Sequence, residues 1–331
     1  MREKTERKEE MFLSPFATKA VDTKGRLVYE PKCEFRTDFQ RDRDRIIYSK
    51  AFRRLKNKTQ VFFSPEGDHY RTRLTHTLDV SQVARSIARG LDLNEDLAEA
   101  IALGHDLGHT PFGHSGEAVL NRLAPNGFKH NVQSLRVVDV LENDGKGLNL
   151  TFEVRDGIVN HKKSGHPATL EGQAVSIADR IAYLNHDIED AKSAGLITEA
   201  DLPKETALLG GTSRERINTM ITSICTTSEG KNAVTMPENV KNATETLRDF
   251  MFERVYLTKE AKGEEEKADR MITTMYEFFL KNKDRLPEIY LTLLSEWPLE
   301  TVVCDYISSM TDRYAVYVFE ELFVPKSFIP H

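Results

Sequence analysis

Apolar residues recur at the spacing of an α-helix along most of this chain, whereas the period-two alternation of a β-strand is scarce. One such pattern runs from Leu74 to Ile87 and stops at Gly90, and another runs from Leu97 to Leu103. A third extends from about Thr169 to Ala191, and the pattern repeats between residues 214 and 322. Since this spacing places apolar side chains on one face of a helix, the sequence predicts an all-α fold.

The length of 331 residues is just above the size at which a single hydrophobic core stops growing. We therefore expect one large helical unit with a smaller appendage, divided near Gly210 and Gly211. The predicted parts are an N-terminal arm (1–35), a core (36–210) and a C-terminal helical region (211–331). The last part is expected to pack on the core or to be continuous with it.

Charged residues are frequent enough to exclude a membrane-spanning helix. The longest stretch without Asp, Glu, Lys or Arg runs from Ile217 to Ser228 and has 12 residues, whereas a spanning helix needs about 20. The first ten residues mix basic and acidic side chains and lack the apolar segment of a secretory signal. The three cysteines are widely spaced and predict no disulfide framework. Together these features favour a cytoplasmic protein.

The net charge is −6, but one stretch of the chain is strongly basic. Between Arg36 and Lys58, nine basic residues accompany three acidic ones. Such a stretch would attract a polyanion, either a nucleotide triphosphate or a single-stranded nucleic acid. A subunit interface and an ordinary solvated helix face are the alternatives, and the sequence leaves all of them open.

Three of the ten histidines fall within Gly104–Glu117, which reads GHDLGHTPFGHSGE. His105 lies eight residues after Leu97, so the apolar face of that helix ends in an imidazole, and Asp106 follows at once. A buried histidine–aspartate pair without a further partner is costly, whereas a divalent cation supplies the missing charge and coordination. The segment therefore predicts a metal site.

Two other helical patterns carry polar residues on their apolar faces. His76 shares a face with Val80 and further apolar residues, and Asp179, Tyr183 and Asp187 recur at offsets of four and eight. A buried histidine by itself is more often a hydrogen-bonded core residue than a ligand. Because metal sites in helix bundles draw their ligands from separate helices, we expect His76 and Asp179 to join the histidine–aspartate pair.

Longer strings around these residues resemble those of the deoxyguanosinetriphosphate triphosphohydrolase-like family of HD-domain phosphohydrolases. The strings are RLTHT at 73–77, GHDLGHTPFGHSGE at 104–117, ADRIAYLNHDIEDA at 178–191 and MTDRYA at 310–315. The likeness runs from about Ser14 to Phe323, nearly the whole chain. It implies an HD-domain helical bundle enlarged by a C-terminal helical region. It also implies an enzyme that hydrolyses a deoxynucleoside triphosphate (dNTP) to deoxynucleoside and inorganic triphosphate, by attack of a metal-activated water on the α-phosphorus.

The resemblance also implies which residues act. Four would bind one divalent metal ion: His76, His105, Asp106 and Asp179. His114 and Glu117 would form a dyad that protonates the leaving 5′-oxygen, and His109 would lie near the triphosphate. Five would bind the substrate: Gln60, Arg73, Arg180, Tyr183 and Asp187. Among them, Asp187 would receive the sugar 3′-hydroxyl and Tyr183 would pack at C2′, which implies a preference for deoxyribose.

The cofactor and the partners follow from the same resemblance. A set of two histidines and two aspartates accepts Mn, Fe, Co, Ni or Zn, whereas Mg would bridge substrate phosphates. Family members form closed homo-oligomers, so the resemblance implies a homo-oligomer for this chain. In some members a nucleotide activator binds at a second site, and the resemblance leaves such an activator possible here. The preferred base is not indicated by any motif.

The remaining histidines are interpreted differently. His130 lies where relatives have a short catalytic-site segment, but its string HNVQS matches only in part. His161 and His166 fall in a sequence broken by glycine and proline, and we predict that both lie on the surface. His186 is about 100° from Asp187 around its helix, so it is not predicted to be a metal ligand.

Two alternative functions are weaker. An HD-domain nucleotide phosphatase or alarmone hydrolase would use the same metal, but the extended histidine segment and the Tyr183–Asp187 pair favour the triphosphohydrolase. A non-catalytic nucleotide-binding or single-strand nucleic-acid-binding module would depend on the basic stretch. The complete ligand set together with the His114–Glu117 dyad argues against such a module.

Overall fold

The computed structural model describes residues 1–60, 71–256 and 259–326. Its α-helices in these ranges are α1 (Arg2–Phe12), α2 (Asp38–Tyr48), α3 (Lys50–Arg54), α4 (Arg73–Gly90), α5 (Glu95–Gly104), α6 (Gly113–Leu123), α7 (His130–Arg136), α8 (Glu142–Gly145), α9 (Phe152–Asn160), α10 (Leu170–Ser193), α11 (Ser213–Ser228), α12 (Glu238–Met251), α13 (Lys259–Lys281), α14 (Glu288–Leu293), α15 (Leu299–Ser309) and α16 (Asp312–Phe323). Over these residues there is no β-sheet, and two isolated antiparallel bridges join Arg26 to Thr151 and Thr59 to Thr72. The all-α prediction is confirmed.

Side-chain caps fix where the helices that carry the site begin. The Thr72 hydroxyl accepts the N–H of Thr75 at the start of α4, and Asn94 Oδ1 accepts the N–H of Leu97 at the start of α5. Thr169 caps α10 in the same way. Each cap satisfies an N–H that the first turn of a helix leaves unpaired. These starts set the rotational phase of each helix, and the phase decides which residues face inward.

The larger of two apolar clusters lies between α4, α5, α9 and α10. Ile87, Ile101, Ile158 and Ile181 are fully buried there. Burying one such side chain contributes about 1.5–3 kcal/mol, so this packing is the main force that holds the four helices together. Since the site residues lie at the ends or on the inner faces of these helices, the core also positions the site.

The smaller apolar cluster lies between α6 and the C-terminal helices α13, α15 and α16. Leu120 of α6 packs in this cluster with Ile272, Met275 and Ile307. Helix α6, which carries His114, therefore packs on the C-terminal region. The division of the chain at residues 210 and 211 stays a prediction, and the larger cluster includes side chains on both sides of it.

None of the helices in the described ranges is long and apolar enough to cross a membrane. This agrees with the short uncharged stretches of the sequence.

Glu9, a buried carboxylate within the N-terminal arm, makes the stability of the chain sensitive to pH. Glu9 Oε2 accepts the N–H of Ala20 at 2.7 Å, and burial raises the pKa of Glu9 to about 7, although this hydrogen bond opposes the shift. The pKa of Glu9 is higher in the folded chain than in the unfolded chain, so the neutral carboxyl group contributes fully to stability below about pH 4.5. That contribution is lost as the pH rises through about 7.

We therefore expect Glu9→Gln, which stays neutral, to gain stability relative to the wild type as the pH rises from 5 to 8. The expected gain is on the order of 1–3 kcal/mol, measured by urea unfolding at both pH values. Glu10→Gln is the matched control because the neighbouring Glu10 is exposed. Equal stability differences at pH 5 and pH 8 would contradict the argument.

Candidate active site

The four predicted metal ligands converge between α4, the turn after α5, and α10. His76 Nε2 lies 3.2 Å from Asp179 Oδ1, and His105 Nε2 lies 3.8 Å from the same oxygen. The distance from His105 Nε2 to Asp106 Oδ1 is 3.7 Å. His105 Nδ1 bonds to the carbonyl of Ala102 at 2.6 Å; because the carbonyl only accepts, Nδ1 carries a proton, and Nε2 is the ring atom left to reach a metal ion.

These donors fit a divalent cation. The ligand atoms of His76, His105 and Asp106 all lie within 4.8 Å of one another. His105 Nε2 is buried and has no hydrogen-bond partner among the described residues. A buried imidazole nitrogen that faces two carboxylates is the arrangement that Zn, Mn, Fe and related metals accept.

The surroundings keep both carboxylates ionised. Burial opposes ionisation of Asp179, but the hydrogen bond from His76 and the nearby His105 outweigh it and hold the pKa of Asp179 below its usual range. Burial also opposes ionisation of Asp106, and here His105 and Arg73 hold the pKa well below its usual range. Both groups are therefore anionic at neutral pH, as metal ligation requires.

Arg73 orients one of these carboxylates. Its Nη1 donates to Asp106 Oδ2 at 2.6 Å, and the arginine is only 2% exposed. This charge-assisted bond occupies Oδ2 and directs Oδ1 toward His105. Arg73 Nη2 also donates to the carbonyl of Gln60 at 3.5 Å, which brings two of the predicted substrate-binding residues together. Their contact with substrate stays a prediction.

A second cluster of titratable side chains lies beside the ligands, at the starts of α6 and α7. His114 Nδ1 lies 3.3 Å from Glu117 Oε2, so the predicted dyad is in contact. The same oxygen receives His130 Nδ1 at 2.8 Å, and Glu117 Oε1 accepts the N–H of His130 at 2.9 Å. Glu117 is therefore shared between an exposed histidine and a buried one. The string around His130 gave no clear signal for this contact.

Glu117 and His109 differ in charge at neutral pH, and this difference suits them to different roles. Burial opposes ionisation of Glu117, but the hydrogen bonds from His114 and His130 outweigh it and hold the pKa of Glu117 far below its usual range. For His109, burial and the nearby Arg73 hold the pKa well below its usual range. His109 is therefore a neutral imidazole at neutral pH, suited to hydrogen bonding rather than to storing a proton.

His161 is a site residue that the sequence reasoning missed, because the prediction that it lies on the surface is wrong. It is 2% exposed, its Nδ1 bonds to the carbonyl of Ile158 at 2.7 Å, and its Nε2 lies 3.4 Å from His130 Nε2. Its ligand atom lies within 4.8 Å of those of His130 and Asp106. Burial, with a smaller effect of His105, lowers the pKa of His161 to about 4.

The signal that could have found His161 is helical phase. Val154 and Ile158 are buried on α9, and His161 follows them at offsets of seven and three, on the same face. His166 is exposed, as predicted. His186 is buried, but its Nε2 faces Asp79 Oδ2 at 3.1 Å rather than the predicted ligands.

The predicted sugar-binding residues share the inner face of α10 with Asp179. Asp187 is 2% exposed and Tyr183 is partly buried. Burial, with a smaller effect of Asp179, raises the pKa of Tyr183 to about 12, so its hydroxyl stays protonated. Arg180 Nε donates to the Ser176 carbonyl of its own helix at 3.3 Å. The substrate roles of these three residues stay predictions.

The basic stretch between Arg36 and Lys58 is largely paired within the chain. Its ion pairs include Arg36–Asp44 at 2.5 Å, Arg41–Glu30 at 2.8 Å, Arg43–Asp96 at 3.1 Å and Arg45–Glu30 at 2.5 Å. These contacts hold the N-terminal arm and α5 against α2. They favour a structural role for the stretch over a polyanion-binding one.

The turn that carries the ligands depends on a close backbone approach at Gly108. A Cβ atom there would lie 2.2 Å from the backbone nitrogen of Ser134 and 2.3 Å from the carbonyl carbon of Gln133. Gly108 also donates its N–H to Ser134 Oγ at 2.9 Å. Residues 105–109 therefore pack directly on the backbone of α7.

We expect Gly108→Ala to destabilise the protein by about 2 kcal/mol or more and to weaken metal binding, because the turn must move away from α7. Thermal unfolding and metal content after dialysis measure both effects. Gly263→Ala is the matched control: it lies in α13 with nothing within 4 Å of its Cβ position, and it should be neutral or slightly stabilising. Equal melting temperatures for the two variants would refute the role of Gly108.

Comparisons with known proteins identify the family to which the sequence is similar. Residues 73–184 match the HD domain family, and residues 234–321 match the phosphohydrolase-associated domain family. The chain is 57% identical, over 98% of its length and 96% of the relative's, to a deoxyguanosinetriphosphate triphosphohydrolase-like protein of Caldanaerobacter subterraneus subsp. tengcongensis. A protein of the same description from Clostridium tetani is 49% identical over 98% of this chain and 97% of the relative.

A solved structure shows the same fold. A phosphohydrolase from Bacteroides thetaiotaomicron VPI-5482 superimposes with a TM-score of 0.56 at 19% sequence identity, over 84% of this chain and 67% of that one. The matched HD domain includes His76, His105, Asp106 and Asp179, and the associated domain includes the helices that support α6. The sequence resemblance is therefore confirmed at the level of the family.

Proposed function

The chain belongs to the deoxyguanosinetriphosphate triphosphohydrolase-like family of HD-domain phosphohydrolases, and from this premise we propose that it hydrolyses dNTPs to deoxynucleoside and inorganic triphosphate. The observation that carries the proposal is the direct juxtaposition of two sets of groups. The ligand set around His105 lies next to the Glu117 cluster, with the Asp106 Oδ1 to His130 Nε2 distance at 3.9 Å. One set suits a phosphate-binding cation and the other suits proton transfer.

The proposed metal would be held by His76, His105, Asp106 and Asp179. When bound, a divalent ion would act as a Lewis acid on the α-phosphate and would lower the pKa of the attacking water. The remaining contributions come from side chains of the chain. Arg73 keeps Asp106 oriented, and its charge beside the ligand set favours a polyphosphate.

In the proposed reaction, water attacks the α-phosphorus and the bond from phosphorus to the 5′-oxygen breaks. The triphosphate leaves with the oxygen of water, and the 5′-oxygen of the deoxynucleoside takes up a proton. His114 is the proposed donor of that proton, because its ring is exposed beside the ligand set and its Nδ1 is held by Glu117. Neutral His109, whose ring centroid is 5.1 Å from that of His114, would donate a hydrogen bond to the triphosphate.

Selection of the sugar is assigned to α10. Asp187 is proposed to accept the 3′-hydroxyl, and the Tyr183 ring is proposed to limit the space at C2′. Both lie on the face that carries Asp179, so a sugar bound there would place its 5′ end toward the ligand set. This arrangement supports a preference for dNTPs over ribonucleotides.

Product analysis tests the proposal. Protein supplemented with each candidate metal would be incubated with the four dNTPs, singly and mixed, and with GTP, and the products resolved by anion-exchange chromatography. Deoxynucleoside and triphosphate in equal amounts are expected, with GTP hydrolysed more slowly than dGTP. Stepwise release of phosphate would instead indicate a nucleotide phosphatase, and no turnover with any metal would indicate a binding module.

A further inference from the structure

Asp312, the first residue of α16, lies where segments that carry site residues meet. Its Oδ2 accepts the N–H of Thr59 at 2.9 Å and also the Thr59 hydroxyl. Its Oδ1 accepts the N–H of Phe112 at 3.0 Å. Asp312 is 7% exposed, so these bonds are shielded from water. One carboxylate therefore joins the segment before α4 to the start of α6.

A buried lysine makes a parallel connection. Lys58 Nζ donates to the carbonyl of His109 and to the carbonyl of Ser308, the latter at 2.7 Å, and Lys58 is 2% exposed. The turn that carries His109 is thus tied to the end of α15. Lys58 and Asp312 act on the two ends of one loop, residues 109–112.

The backbone at Phe112 shows why this loop needs an outside support. Phe112 has φ 60° and ψ 26°, in the left-handed region, which costs free energy in a residue other than glycine. Helix α6 begins at the next residue, Gly113, and His114 follows in its first turn. The strained angle at Phe112 therefore sets the direction in which α6 starts and the place of the His114 ring.

The other end of the Asp312 contact is firmly anchored. Thr59 is bridged to Thr72, and the N–H of Arg73 donates to the carbonyl of Lys58 at 3.1 Å. Residues 58–59 are therefore fixed against the start of α4, the helix that carries His76. A carboxylate that holds both Thr59 and Phe112 keeps α6 in register with the ligand set.

We propose that Asp312 is a positioning residue that acts through His114: from the C-terminal region, it holds the first turn of α6 where the proton donor must lie. This inference rests on the proposed function, and it gives a role to the MTDRYA string. Asp312 itself touches no reacting atom. A shift of about 1 Å in a catalytic group can reduce turnover by about 10²-fold, so a small movement of α6 is enough to matter.

The first test is Asp312→Asn, which keeps the shape but loses the charge and replaces one acceptor oxygen by an NH₂ group. We expect kcat to fall about 10- to 100-fold, with KM within about threefold and metal content unchanged. Asp269→Asn is the matched control, since Asp269 of α13 accepts from Arg122 near the far end of α6 at 2.7 Å. Its kcat should be that of the wild type.

The second test separates positioning from general damage. If Asp312 acts through His114, then Asp312→Asn combined with His114→Ala should lose no more turnover than His114→Ala alone, within about threefold. If the double variant instead lost turnover by the product of the two single losses, the proposal would be overturned. That result would show that Asp312 acts independently of the proton donor.

A measurement without substrate distinguishes failure of this inference from failure of the proposed function. Hydrogen exchange at the amides of residues 112–116 should become faster in Asp312→Asn, while residues 97–103 of α5 stay protected. Thr59→Val removes only the hydroxyl bond to Asp312 and should give a smaller change in the same amides, even if Asp312→Asn does not fold. Unchanged exchange at residues 112–116 in the folded variants would overturn the inference. Absence of triphosphate release by the wild type would overturn only the function.

Discussion

His105→Ala is expected to lose both the metal and the activity. His105 is fully buried, its Nδ1 proton is bonded to the Ala102 carbonyl, and its Nε2 faces the carboxylates of Asp106 and Asp179. His105 Nε2 lies 3.7 Å from Asp106 Oδ1 and 3.8 Å from Asp179 Oδ1, so the substitution removes a ligand atom from between these two oxygens. We expect bound metal after dialysis to fall below roughly one-tenth of the wild-type content and kcat/KM to fall by roughly 10⁴-fold or more.

Metal content, measured by mass spectrometry of the dialysed protein, is the primary readout because it does not depend on the substrate. A chelator should lower the melting temperature of the wild type but not that of His105→Ala, since a bound ligand stabilises only the protein that binds it. His166→Ala is the matched control, because His166 is exposed and lies outside the cluster. Full metal content in His105→Ala would refute the assignment of the ligand set.

His114→Ala is expected to keep the metal and lose turnover. The side chain is exposed and contacts Glu117 rather than any predicted ligand, so its removal leaves the coordination unchanged. Loss of a proton donor to the 5′-oxygen should reduce kcat by about 10²- to 10⁴-fold, with a smaller effect on KM. Turnover is measured as triphosphate release, and metal content is measured on the same preparations.

His114→Asn sharpens this test. The amide keeps a group that can hydrogen-bond to Glu117, but it does not transfer a proton as an imidazole does. Asn should therefore be nearly as inactive as Ala. Wild-type turnover in His114→Ala would instead assign proton donation to His130, because His130 is the other histidine bonded to Glu117. His130→Ala should then show the loss expected here for His114.

The parts of the site that were predictable lie within single helices or short strings. The apolar phase of α4 placed His76 inward, and the phase of α10 grouped Asp179, Tyr183 and Asp187 on one face. His114 and Glu117 are three residues apart at the start of α6, where this spacing brings side chains together. These inferences needed only the geometry of one helix. His161 obeys the same rule, but the glycine and proline that follow it favour a surface loop, and for this reason the sequence prediction is wrong there.

The shared contacts were not predictable, because each depends on how helices cross. Arg73 bonds to Asp106, 33 residues away, and Glu117 bonds to His130 from another helix. Asp312 reaches Thr59, 253 residues away. Hydrogen bonds over such separations require the packing distance between helices, which no local pattern contains. The sequence left the role of the basic residues 36–58 open, because their acidic partners come in part from the N-terminal arm and from α5.

The sequence by itself determined the helical fold, the family and the ligand set that is proposed to bind the metal. These follow from apolar periodicity and from strings of neighbouring residues, and both are local properties of the chain. Only the tertiary structure decided that Glu117 serves two histidines, that His161 is buried beside His130, and that Asp312 supports the start of α6. The physical reason is that burial and hydrogen-bond partners are set by the packing of helices from distant parts of the chain.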